Sequence, residues 1–205
     1  MAEHQACALR RRAVERWAER RLGNIDHELR VLEIATALFD LGAGRHRLDP
    51  SHRKLLRLAS LLHDVGRCKG AQNHHHRGAR MVAKSKLPFD DAQRRALMYL
   101  TRHHRGRVPA LGAERDLIAR DDRAPLRAVL ALLRAADALD NRSLAPPRLQ
   151  FALQGRQLCI RCRLAEDSPK ARRVFRRRKK FHLIEKLLGC KVELRIVKRR
   201  ELVLA

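Results

Sequence analysis

The sequence predicts a mainly α fold, a helical bundle followed by a small α+β domain. Three observations carry that prediction. Apolar residues recur at helical spacing through most of residues 24–145, aromatic residues make up only 3% of the 205, and the apolar period switches to alternation after Pro146-Pro147. A core packed mostly by Leu, Ala and Val suits helices better than aromatic-rich sheets.

The elements follow in order. Residues 1–23 read as a basic N-terminal helix from Glu3 to about Arg21, whose thin stripe of Val14, Trp17 and Ala18 docks on a neighbour. Asp26 precedes an amphipathic run of Leu29, Leu32, Ala35, Leu38 and Phe39, which ends at Gly42 and Gly44. Pro50 and Ser51 start a helix whose apolar residues lead directly into His63-Asp64 and stop at Gly66. Further helices are expected from about His75 to Lys84, Asp90 to His103 and Pro125 to Leu139. The stretch from Arg105 to Arg123, with Gly106, Pro109 and Gly112, reads as irregular. Residues 148–205 read as the small basic α+β domain. A hairpin turns at Gly155, a helix runs from Lys170 to Leu188 and stops at Gly189, and a strand holds Val192, Leu194 and Ile196, with a further short strand from Leu202 to Leu204.

Composition bounds the function. With 45% hydrophobic and 34% charged residues, the chain has the apolar content of a globular protein, which excludes whole-chain disorder. No stretch approaches the roughly 18–20 apolar residues that span a bilayer, so a membrane-spanning role is excluded. Arg10, Arg11 and Arg12 interrupt any signal-peptide run, and five scattered cysteines fit a reducing cytoplasm. Cys159 and Cys162 lack a second pair and sit in an alternating segment, where strand residues explain them better than zinc. The net charge of +25 leaves two readings open: a surface for a polyanion, or an arginine-rich compositional habit.

The chemistry-bearing pattern is His27, then the adjacent pair His63-Asp64, then Asp137, all at or near predicted helix ends. Imidazole with carboxylate suits a divalent transition metal. Asp137 lies in the mostly apolar run from Val129 to Leu139, where an unpaired carboxylate is costly to bury and a cation would neutralise it. His4, His46, His52 and His182 are isolated histidines and are set aside. Asp140 reads equally as a helix-end cap, an Arg partner or a functional group.

This ordered pattern resembles the HD superfamily of metal-dependent phosphohydrolases. The segments Leu58 to Gly66, His75 to Val82, Arg102 to Pro109 and Leu132 to Leu139 look like the helical C-terminal region of the exopolyphosphatase/guanosine pentaphosphate phosphatase (Ppx/GppA) family. The likeness covers roughly residues 24–145, and the α+β tail also looks like the small module that follows there. In that family the chemistry belongs to actin-like N-terminal domains, to which nothing in this sequence corresponds, so those catalytic residues do not carry over.

The resemblance implies an HD-type bundle holding a divalent ion, one of Mn, Mg, Fe, Co, Ni or Zn, through His27, His63, Asp64 and Asp137. His63 and Asp64 would be catalytic, with a water activated by the ion as nucleophile. His75 and His104 resemble the additional ligands of two-metal members, which would make Asp64 the bridge. Arg67, Lys69, Arg77, Arg105 and Arg107 follow the ligands closely enough to hold phosphate oxygens. On the helix from Lys170, the residues Lys170, Arg173, Arg177 and Lys180 share one side, a track for polyphosphate or nucleic acid. The leading expectation is a cytoplasmic phosphohydrolase acting on a nucleotide or polyphosphate-like substrate. Its rival is a non-catalytic polyphosphate- or nucleic-acid-binding module.

Overall fold

The computed structural model describes residues 2–110, 118–176 and 180–197. Eight α-helices and three strands are found among them, so the chain is mainly α with a small α+β part near its C-terminal end.

Helix α1 (Ala2–Leu22) presents Val14, Trp17 and Ala18 to the core, the stripe expected of it. Helix α2 (Asp26–Leu41) buries Val31, Leu32, Ala35, Leu38 and Phe39 and is capped by Gly42. Helix α3 (Pro50–Leu62) starts with a reciprocal cap: the Asp49 carboxylate accepts from the backbone of Ser51 and His52, and His52 returns its ring to the Asp49 N–H. A 3-10 turn (Val65–Lys69) follows immediately. Helix α4 (His74–Ala83) is entered through Asn73 in the left-handed region, and α5 (Asp91–His103) is capped by the Asp90 carboxylate on the Gln93 N–H. Helix α6 (Arg123–Ala138) buries Leu126, Val129, Leu130, Leu132 and Leu133.

Strands β1 (Arg148–Gln154) and β2 (Gln157–Arg163) form the expected hairpin through Gly155, whose φ of 50° suits glycine. Strand β3 (Lys191–Ile196) adds to β2 in parallel, giving the order β1-β2-β3. Cys159 and Cys162, three apart on one strand, face opposite sides of the sheet; burial pushes the Cys162 thiol up to about 11. The strand expected at Leu202 to Leu204 lies outside the described residues.

The helix expected from Lys170 to Leu188 is interrupted. Helix α7 (Pro169–Phe175) ends at Arg176, and α8 (His182–Leu188) begins after a turn at Lys180 and Phe181. Two causes act together. A continuous helix would stack basic residues at i, i+3 and i+4. It would also set Phe175 and Phe181 about 120° apart around the axis, yet both rings are buried. Buried Leu158, Ile160, Phe181, Ile184, Leu188 and Val192 belong to the same apolar cluster as the helical core. No described helix is long and apolar enough to cross a membrane.

Candidate metal centre

Five helix ends converge on one buried point. His27 lies in the first turn of α2 and His63 caps the C-terminus of α3, with Asp64 next to it. His74 opens α4, His104 caps α5, and Asp137 sits in the last turn of α6. Three of these ends are C-terminal, where unsatisfied carbonyls carry partial negative charge and favour a cation.

Two glycines permit the convergence. A Cβ on Gly66 would lie 2.1 Å from the His74 carbonyl oxygen, and one on Gly78 would lie 2.9 Å from the Thr101 methyl group. Without side chains there, the 3-10 turn, α4 and α5 close in until His74 and His104 meet Asp64. The His74 Nε2 lies 2.8 Å and the His104 Nε2 3.3 Å from Asp64 Oδ1.

The four imidazoles share one anchoring rule. His63 Nδ1 lies 2.8 Å from the Ser60 carbonyl, His74 Nδ1 2.7 Å from Ala71, and His104 Nδ1 2.7 Å from Thr101. His27 Nδ1 lies 2.6 Å from the Asp140 carboxylate, which also takes both nitrogens of an Arg30 fork. A carbonyl can only accept, so Nδ1 carries the hydrogen and Nε2 of the neutral ring presents a lone pair. Every one of these Nε2 atoms faces the carboxylates. His27 Nε2 is 3.5 Å and His63 Nε2 3.7 Å from Asp137 Oδ1; His63 Nε2 is 4.0 Å from Asp64 Oδ1.

A cation would satisfy two features of this arrangement. His63 Nε2 is wholly buried and has no hydrogen-bond partner. The Nε2 atoms of His74 and His104 face each other at 3.2 Å, where two lone pairs repel unless a proton or a cation lies between them. Electrostatics agree in direction. Burial, reinforced by the charge on His63, holds the His104 imidazole down at about 4, so it is neutral at pH 7. Burial also lowers His63, but Asp64 and Asp137 outweigh it and raise the imidazole. Burial raises Asp64 and Asp137, yet the surrounding imidazoles, with Lys180 acting on Asp137, hold both well below the usual carboxylate range. The donor set fits a divalent ion, in two groups that share His63: His27, His63 and Asp137, and His63, Asp64 and His104.

The structure brings His27, His63, Asp64, Asp137 and His104 together. The third imidazole at Asp64 is that of His74, whereas His75, named from the sequence, is partly exposed and packs its ring on His74 and His76. Arg67 reaches Asp64 Oδ2 at 3.5 Å. Arg77 donates instead to the backbone carbonyls of Gly66 and Gly70, bracing the turn. Lys69, Arg105 and Arg107 are exposed. Lys170 and Arg173 are exposed on α7, Arg177 lies outside the described residues, and Lys180 turns its ammonium onto Asp137 Oδ2. The four therefore do not form one helical face. His46 braces a loop through the Phe39 carbonyl and the Leu48 N–H, His52 serves the α3 cap, and His182 is exposed, while the His4 side chain is not among those described.

Sequence reading missed Arg142 altogether. Its Nε lies 3.0 Å from Asp64 Oδ2, and its guanidinium also pairs with buried Glu28. It stands 78 residues from Asp64, and a lone arginine after α6 has no periodicity to mark it.

Fold and site together define a helical protein with a buried histidine–carboxylate centre of metal-ligand character. Residues 9–158, nearly three-quarters of the chain, match the family described as Ppx/GppA phosphatase, domain III, and the chain belongs to that family. The match runs from α1 into β2. No curated protein matches the sequence.

Proposed function

We propose that the chain is a divalent-metal-dependent phosphohydrolase of the HD type, acting on a phosphoester or phosphoanhydride of a nucleotide or polyphosphate-like substrate. The observation that carries this reading is the set of four imidazoles held through Nδ1 with Nε2 turned onto two buried carboxylates. Anchoring the outer nitrogen to an oxygen is how proteins orient metal-ligating histidines. The order His27, His63-Asp64, Asp137 is the HD order, and membership of a family named for phosphatases supports phosphate chemistry.

His27, His63, Asp64 and Asp137 would hold one ion; Asp64, His74 and His104 would serve a second. An ion bound there supplies Lewis acidity toward a phosphoryl oxygen and lowers the pKa of a water for attack at phosphorus. The chain's own residues do the rest. Asp140 and Arg30 fix the His27 ring, burial keeps His104 neutral, and Asp64 presents Oδ1 to the His74–His104 pair and Oδ2 to the cations beside it.

Elemental analysis with a phosphate-release screen tests the reading. Wild-type protein should retain divalent metal, and His63→Ala should lose most of it. Metal-supplemented protein should release phosphate from nucleotides, cyclic nucleotides or polyphosphate, and folded Asp64→Ala should not. Full activity in folded Asp64→Ala removes the mechanism. Retained metal with no release from any of these substrates favours the rival reading, a polyphosphate- or nucleic-acid-binding module, for which the net charge of +25 speaks.

A further inference from the structure

The two central carboxylates are divided between two kinds of partner. Asp64 Oδ1 faces the imidazoles of His74, His104 and His63, at 2.8, 3.3 and 4.0 Å. Its Oδ2 faces chiefly guanidinium groups, Arg142 Nε at 3.0 Å and Arg67 Nε at 3.5 Å, with the His27 Nε2 farther off at 3.9 Å. Asp137 repeats the division, with Oδ1 toward His27 and His63 and Oδ2 on the Lys180 ammonium. Exposure follows the same line. The His27, His63, His74 and His104 side chains are at most 5% exposed, whereas those of Arg67, Arg142 and Lys180 are 26–30% exposed. The imidazoles thus form a closed inner wall, and three cations from three different segments form a rim on the solvent side.

Charge balance says what the rim is for. With neutral imidazoles, Asp64, Asp137 and Glu28 are matched by Arg67, Arg142 and Lys180, and Asp140 by Arg30. A divalent ion added to this balanced set leaves two uncompensated positive charges beside cations that reach solvent, and the natural counter-charge is a dianion. Arg142 and Arg67 carry planar guanidinium groups, of which Arg142 gives Nε to Asp64 and Nη2 to Glu28, and the Lys180 ammonium is a point charge on a flexible stem.

We propose that Arg142 and Lys180, with Arg67, form a clamp for one dianionic phosphoryl group at the mouth of the metal centre. The clamp rests on the metal-centre reading above and adds the residues that would bind the anion. Lys180 comes from the turn between α7 and α8, so the C-terminal part of the chain completes a site whose other residues come from the helical part.

The test is calorimetric titration of inorganic phosphate into the full-length protein, metal-loaded and with metal content measured in every sample. Wild type should bind phosphate. Lys180→Gln and Arg142→Gln should each weaken it tenfold or more with metal content unchanged. Lys180→Arg should restore most of the affinity, and exposed Lys84→Gln should leave it unaltered. Arg142→Gln strands buried Glu28; if that variant does not fold, the Lys180→Gln and Lys180→Arg pair decides alone. Wild type that takes up metal but no phosphate overturns the clamp, as do variants that bind phosphate as tightly as wild type. Wild type that takes up no metal overturns the metal centre itself, and the clamp with it.

Discussion

At the scale of single residues, the centre depends on groups that never touch its middle. Asp140 accepts the His27 Nδ1 hydrogen at 2.6 Å and is itself held by Arg30. Removing such an orienting partner typically costs 10–100-fold in metal affinity. Asp140→Ala should therefore lower affinity by about that factor in a chelator-competition titration, and Asp140→Asn, which can still accept a hydrogen bond, should lower it less. An unchanged affinity in Asp140→Ala would make the contact incidental. His104 supplies a pH prediction. Its folded value of about 4 lies below the ordinary 6.5, so between those values the unfolded chain binds a proton that the folded one refuses. The metal-free protein should lose stability as pH falls through that window, and His104→Gln should flatten the fall in denaturant midpoint. An equally steep fall in the variant assigns the acid sensitivity elsewhere. The ordered His27, His63-Asp64, Asp137 set was legible because carboxylates and histidines at helix ends stand out against an aliphatic sequence. The choice among His74, His75 and His76 was not. One residue turns a helix by about 100°, and which ring faces inward depends on Asn73 taking the left-handed conformation just before α4.

At the scale of elements, the centre is held by a close approach that two glycines allow. A methyl group on Gly66 would meet the His74 carbonyl at 2.1 Å and the Gly78 nitrogen at 2.6 Å, both backbone atoms that cannot rotate away. Gly66→Ala should thus push α4 off the 3-10 turn, at an overpacking cost of roughly 1–3 kcal/mol or more, and draw His74 away from Asp64. Thermal unfolding should show the loss, and metal analysis should show His74-side occupancy falling before that of the His27 side. Wild-type stability in Gly66→Ala would mean that the turn relaxes freely. Gly66 reads as the helix stop, yet α3 ends at Leu62 and Gly66 lies inside the 3-10 turn; its approach to α4 is not legible, since nothing local encodes which later segment will pack against it. The long C-terminal helix failed for a related reason. Its apolar spacing is weak, its charge pattern suggests a shared face, and the buried pair Phe175 and Phe181 is satisfied by a break that local propensity does not predict. That break sets Lys180 on Asp137 rather than on a polyanion track.

At the scale of the whole molecule, the net charge of +25 far exceeds what the centre uses. Arg67, Arg142, Arg30 and Lys180 are already paired with carboxylates, and Arg77, Arg94 and Arg134 donate to backbone carbonyls. Lys170 and Arg173 on α7 remain exposed, beyond the residues that match the family. Polyanion binding through α7 should then be electrostatic, indifferent to base sequence, and separate from the metal. Measured in excess chelator, so that no phosphoryl group is drawn to the centre, affinity for duplex nucleic acid or long polyphosphate should fall steeply with salt. The double substitution Lys170→Ala with Arg173→Ala should flatten the log–log salt slope by about 0.9 for each duplex phosphate that the protein no longer neutralises. Lys180→Gln should leave that slope as it is, because the Lys180 ammonium is committed to Asp137. A slope untouched by the double substitution would assign α7 to a solvated face, and a slope flattened by Lys180→Gln would return that lysine to the outer surface.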